Sequence, residues 1–230
     1  MSEVLDRRSH AELAATIARA LLTGTLMAMT VSCAWIGLAL QMHLLIERFA
    51  AEGRGAGEAV WRYFGFFTLL TNAIAAVVST AWMIRRPPGP RWLAMTAANI
   101  FMVGAVYHGA LAQLWNPQGL QLLADRLVHT ATPVLFTALW LFAAPRRTLK
   151  WRDTLWMMLY PTVYFFYALG RGAIDGFYPY WFLELPKLGA QQMTIVGAVL
   201  MTLFGAVNLG FVAINREFRF RRGPEAAKLI

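Results

Sequence analysis

Six apolar stretches of about twenty residues, each closed by a basic or proline-containing turn, leave this chain few folds to choose from. A stretch of that length crosses a hydrocarbon core of about 30 Å as a helix. Lipid offers no partner for backbone N–H and C=O groups, so each stretch must satisfy them within itself. With 58% hydrophobic and only 14% charged residues, the expected architecture is all-α. It is a polytopic membrane helical bundle of six transmembrane helices in one domain over 1–230. The expected spans are 19–45, 62–84, 92–114, 127–144, 154–171 and 193–215, with a short tail at 1–18 and a basic tail at 216–230. Arg85, Arg86, Pro87, Pro88, Gly89, Pro90 and Arg91 form a turn that no helix would cross. Pro145, Arg146 and Arg147 open a second one, and Trp115, Asn116, Pro117 and Gln118 end the third span.

The net charge of +9 would suit nucleic acid if it lay on one surface. Instead the cations cluster between apolar spans, where they set topology and meet anionic headgroups, so no nucleic-acid partner is expected. The N-terminal tail, the turns at 85–91 and 146–152 and the C-terminal tail together carry 15 Lys and Arg, and the alternate connections carry 6. This asymmetry places both termini in the cytoplasm. A bacterial inner membrane is the expected location. The N-terminal apolar run is too long for a cleaved signal. Cys33, the single cysteine, excludes an intrachain disulfide and reads as a packing residue.

Against this apolar background two polar clusters stand out. Thr68, Thr71 and Asn72 share one helix face, and Asp125, His129 and Thr132 share another. With both termini inside, Thr68 falls about six residues into the second span and His129 two or three into the fourth. Both lie towards the outer surface, as does His108 late in the third. A threonine hydroxyl becomes a nucleophile when a base takes its proton, and a neutral histidine is the usual base. Asn72 could donate to a developing oxyanion, and Asp125 could orient the histidine. The same residues also read as helix-packing groups, the threonine hydroxyl returning to its own helix. The loop from Arg171 to Gln192 carries Phe177, Tyr178, Tyr180, Trp181, Phe182 and Glu184. It reads either as a cover over an outer cavity or as an interfacial surface loop.

Three segments carry a family resemblance. Phe66–Leu69 is similar to the segment that holds the nucleophilic threonine of the androgen-induced protein family. These are six-span membrane proteins that include hydrolases of fatty acid esters of hydroxy fatty acids. His129–Pro133 resembles the family's catalytic-histidine segment. Phe177–Glu184 resembles a Tyr-Pro-Phe-Leu-Glu segment in the last outer loop, with an insertion. Thr71 and Asn72 resemble the bacterial-type branch. The resemblance implies a lipid ester hydrolase in which Thr68 attacks the carbonyl and His129 is the base. Asn72, Thr71, Asp125 and His108 would support them, and Tyr178, Tyr180, Trp181 and Glu184 would cover the substrate, a fatty acyl ester drawn from membrane lipid. No metal or cofactor is called for. Two rivals remain at this stage: a haem or quinone protein with His108 and His129 as ligands, and a transporter or scaffold.

Overall fold

The computed structural model describes residues 2–217, and among these the chain is helices and connecting turns without a strand. The helices are α1 (Ser2–Ala51), α2 (Ala56–Tyr63), α3 (Phe67–Met83), α4 (Pro90–Val106), α5 (Gly119–Arg126), α6 (Thr132–Ala143), α7 (Asp153–Asp175) and α8 (Leu185–Glu217). Four stretches are long and apolar enough to cross a membrane: Glu12–Ala51, Pro90–Leu114, Gly119–Ala143 and Leu185–Glu217. The chain is a helical membrane protein. The residues expected as an N-terminal tail are helical from Ser2, continuous with the first span, whereas the tail expected at 216–230 lies outside the described residues from 218 onwards.

The core is organised around α4, whose residues from Leu93 to Gly104 are almost all buried. It packs against α3, α6, α7 and α8, and α1 closes the other side against α3, α5 and α6. Close approach is bought with small residues: a Cβ on Gly104 would stand 3.1 Å from Pro133 Cβ, and one on Gly37 2.9 Å from Leu127 Cβ.

Three expectations of position change. The second span, expected as one helix over 62–84, is broken: α2 and α3 meet at 80°. The cause is local. The chain turns through Phe64, Gly65 and an extended Phe66, and a Cβ on Gly65 would stand 3.0 Å from the Arg62 carbonyl and 3.2 Å from Arg171 Nη1. Thr68 is therefore the second residue of α3 rather than six residues into a helix. The helix carrying His129 begins at Gly119, not near 127. Its polar first turns lowered the local hydropathy, but the structure pairs them inside the bundle: Gln121 Nε2 donates to Gln41 Oε1 at 2.9 Å, and Asp125 is 4% exposed. Third, α7 spans 23 residues but carries Tyr160, Thr162, Tyr164, Tyr167 and Arg171, a polar load that keeps it out of the strongly apolar set.

Candidate active site at the start of helix α3

The broken helix exposes the amino end of α3 inside the protein, and α7 supplies what its first amides lack. Tyr160, Tyr164 and Tyr167 recur on one face of α7. Tyr164 accepts from the Phe67 N–H at 3.0 Å and donates to the Gly65 carbonyl at 2.9 Å. Tyr167 donates to the Phe64 carbonyl at 3.0 Å, and Tyr160 shares a hydrogen bond with Thr71 Oγ1 at 2.9 Å. The Tyr164 and Tyr167 hydroxyls satisfy backbone groups that the break releases, and Tyr160 ties the Thr71 side chain to the same face. The sequence singles out none of these three tyrosines as part of the site, although their i, i+4, i+7 spacing is visible in it.

Thr68, only 7% exposed, sits at this helix start, and its N–H donates to the Tyr180 hydroxyl at 3.4 Å. Tyr180 arrives from the short connection between α7 and α8, stacked on Phe182 at 5.2 Å. Together with Phe67, Val106, Phe182 and Phe204, the two residues line an apolar cavity of about 60 Å³ reaching between α4, α7 and α8. The other loop candidates lie apart from Thr68. Tyr178 seats its ring on Gly172, where a Cβ would meet it at 2.1 Å; Trp181 is exposed; and Glu184 pairs with Lys187 at 2.9 Å.

His129 lies in a π turn, Leu127–Ala131, joining α5 to α6. Proline explains the turn. The Thr132 N–H reaches back five residues to the Leu127 carbonyl, and Pro133 has no N–H to offer. The Val128 carbonyl thus lacks both of its ordinary helical donors. Asn72 replaces them, its amide nitrogen donating to Val128 O at 3.0 Å and to Thr68 O at 2.8 Å. The two carbonyls are therefore at most 5.8 Å apart. Asn72 is fully buried with both donor hydrogens engaged, while its Oδ1 has no partner among the described residues.

The levels agree with this bridge. Thr68 stands 15 residues before Met83 and His129 14 before Ala143, about 22 and 21 Å of helix from ends on the same side. His129 Nδ1 contacts Asp125 Oδ1 at 3.0 Å, leaving Nε2 as its free nitrogen. Tyr107 donates to Asp125 Oδ2 at 2.5 Å, and its ring stacks on the imidazole with centroids 3.9 Å apart. This Tyr107–Asp125–His129 chain was half legible; nothing in the spacing singled out Tyr107. His108, in a second π turn at Tyr107–Leu111, is exposed and contacts Thr130 Oγ1 at 3.0 Å through Nε2. No hydrogen bond joins Thr68 to His129 among the described residues, and the apolar cavity touches only the former. Thr132 is buried and its hydroxyl has no partner there either.

Comparison of the chain with protein-family models, curated proteins and solved structures finds no match.

Proposed function

We propose that this protein is an intramembrane hydrolase of lipid esters, with Thr68 as nucleophile and His129 as general base. The observation that carries the reading is the position of Thr68. It stands buried at the start of α3 just past the break, in the wall of an apolar cavity and level with a histidine held by a carboxylate. An acyl chain enters the cavity from lipid and brings its ester carbonyl to Thr68 Oγ. The Oγ–carbon bond forms as the hydroxyl proton passes to His129 Nε2, directly or through one water. Negative charge on the carbonyl oxygen faces the positive end of α3 and the Tyr180 hydroxyl. Collapse breaks the ester C–O bond, and the imidazolium returns its proton to the leaving alcohol. Water then cleaves the acyl-threonine by the reverse sequence. Asp125 holds the imidazole through Nδ1, and Tyr107 holds Asp125.

On this reading Asn72 is no oxyanion donor, because its two hydrogens are engaged with carbonyls. The family resemblance drawn from Phe66–Leu69, His129–Pro133 and Phe177–Glu184 supports the same roles. The proposal further takes α2 with α3, and α7, as crossings alongside the four strongly apolar helices. That gives six spans with both termini in the cytoplasm of a bacterial inner membrane and the site in the outer half. A haem reading is not favoured: His129 is covered by Tyr107, and His108 Nε2 is engaged with Thr130.

Purified protein treated with a fluorophosphonate probe should label, and Thr68→Ala and His129→Ala should abolish labelling with the helical circular dichroism intact. Undiminished labelling of Thr68→Ala would remove the nucleophile from the proposal.

A further inference from the structure

Beside the Thr68 turn, two arginines share one carboxylate in a region half withdrawn from water. Arg171, at the end of α7, is 4% exposed, its guanidinium 3.8 Å over the Trp61 ring. Its Nη1 lies against Gly65, three residues before Thr68, and its Nε has no partner among the described residues. Arg62, at the end of α2, holds its guanidinium 3.5 Å over the Phe177 ring, and that group has no hydrogen bond or ion pair among the described residues. One carboxylate serves both arginines. Asp175 already accepts from the Trp61 indole at 2.6 Å, the Phe177 N–H at 2.9 Å and Arg171 Nη2 at 3.4 Å. Arg54, the next cation, is taken by Glu52 and Glu58.

The charge left over is Arg62. A guanidinium held against an aromatic face, with Asp175 near but already engaged and no carboxylate among the described residues in direct contact, is a fork open to a planar or tetrahedral oxyanion. A chain of ring contacts links it to the nucleophile. Phe177 packs on Phe66 at 5.5 Å, Phe66 on Tyr180 at 6.3 Å, and Tyr180 meets the Thr68 N–H.

We propose that Arg62, backed by Arg171, is a receptor for an anionic group, carboxylate or phosphate, on the polar end of the lipid ester. The protein then selects charged esters over neutral ones. This rests on the hydrolase reading for its meaning, and of the two arms of its test the second does not depend on turnover. Two esters alike except that a terminal carboxylate is capped as its methyl ester are compared in neutral detergent. The free acid should be preferred about tenfold in kcat/KM, the worth of one charge-assisted hydrogen bond. That ratio should collapse towards unity in Arg62→Gln and survive in part in Arg62→Lys. A purely structural role would lower both rates and leave the ratio alone, which would overturn the proposal, as would a ratio of unity in the unaltered protein.

The binding arm uses Thr68→Ala with two ether analogues, one carrying the carboxylate and one its methyl ester, followed by tryptophan fluorescence. Tighter binding of the acid, lost in Thr68→Ala/Arg62→Gln, upholds the receptor even if no ester is ever cleaved. Equal binding of both refutes it even if esters are cleaved. Finally, the comparison is repeated in phosphatidylcholine nanodiscs with and without phosphatidylglycerol. If that lipid abolishes the preference, and Arg62→Gln no longer responds to it, the site belongs to bulk headgroups and substrate selection is refuted.

Discussion

Replacing Asn72 by leucine, close to it in size, should destabilise the protein by about 2–3 kcal/mol. The figure comes from two carbonyls with different alternatives. Thr68 O keeps its own helical donor, the N–H of residue 72, so it loses only a second bond. Val128 O has none to fall back on, because the Thr132 N–H serves Leu127 and residue 133 is proline. One lost hydrogen bond costs about 1 kcal/mol. A buried carbonyl left without a partner typically costs about 1–3 kcal/mol, of which about 1–2 kcal/mol applies, because leucine also removes Asn72 Oδ1, which has no partner among the described residues. The assay is reversible unfolding in dodecyl maltoside–SDS mixed micelles, followed by far-UV circular dichroism. Pro133→Ala provides the control, since it restores an N–H that Val128 can use. In that background Asn72→Leu should cost only about 1 kcal/mol, a coupling of about 1–2 kcal/mol between residues on different helices. A cost below about 0.5 kcal/mol, or the same cost in both backgrounds, would refute the account of the π turn and its bridge. Pro133→Ala should also reduce fluorophosphonate labelling, because an ordinary α-helical turn would face His129 differently.

Tyr180→Phe should lower kcat about 100-fold with little change in KM if its hydroxyl helps to carry oxyanion charge; an unaltered kcat would exclude that role. Gly172→Ala should unseat the Tyr178 ring, which lies 2.1 Å from the new Cβ, and accelerate limited proteolysis between residues 176 and 184. Val106→Trp should fill the cavity and raise KM more for long acyl chains than for short ones. Protonating Asp175 should loosen the same loop. Burial opposes its ionised form, but the Phe177 N–H, the Trp61 indole and Arg171 outweigh burial and hold its carboxyl below the usual range. A lowered carboxylate pKa stabilises above the unfolded value of about 4 and is lost as pH falls through the folded one. Loop protection from proteolysis should therefore persist at about pH 5 and fail below about pH 4, whereas in Asp175→Asn it should be weaker already at about pH 5 and lose this pH dependence.

Neither the proposed Arg62 receptor nor the Asn72 bridge is visible in the sequence. Both depend on which residues meet across helices, and i, i+4 spacing speaks only of one helix at a time. From Thr68, Thr71 and Asn72 the sequence yields a polar face, but not that Asn72 turns its amide towards Val128. Asp125 and His129 were paired correctly because both lie on one continuous helix. Tyr107 was missed because its partners are 18 and 22 residues away. Hydropathy likewise misjudged where α5 begins, since Gln121 and Asp125 look like loop residues until Gln41 and Tyr107 are placed beside them.

By itself, then, the sequence determines that the chain is helical and built for a membrane, where its basic and proline turns fall, and which few polar residues interrupt its apolar stretches. Those properties follow from local composition and from the rule that backbone in lipid must pair with itself. Tertiary structure alone decides that the second apolar stretch breaks at Gly65, that tyrosines of α7 and the last connection accept the freed amides, and that Thr68 opens into an apolar cavity. A helix can stop inside a hydrophobic protein only where other segments satisfy its ends, and those segments lie about a hundred residues further along the chain.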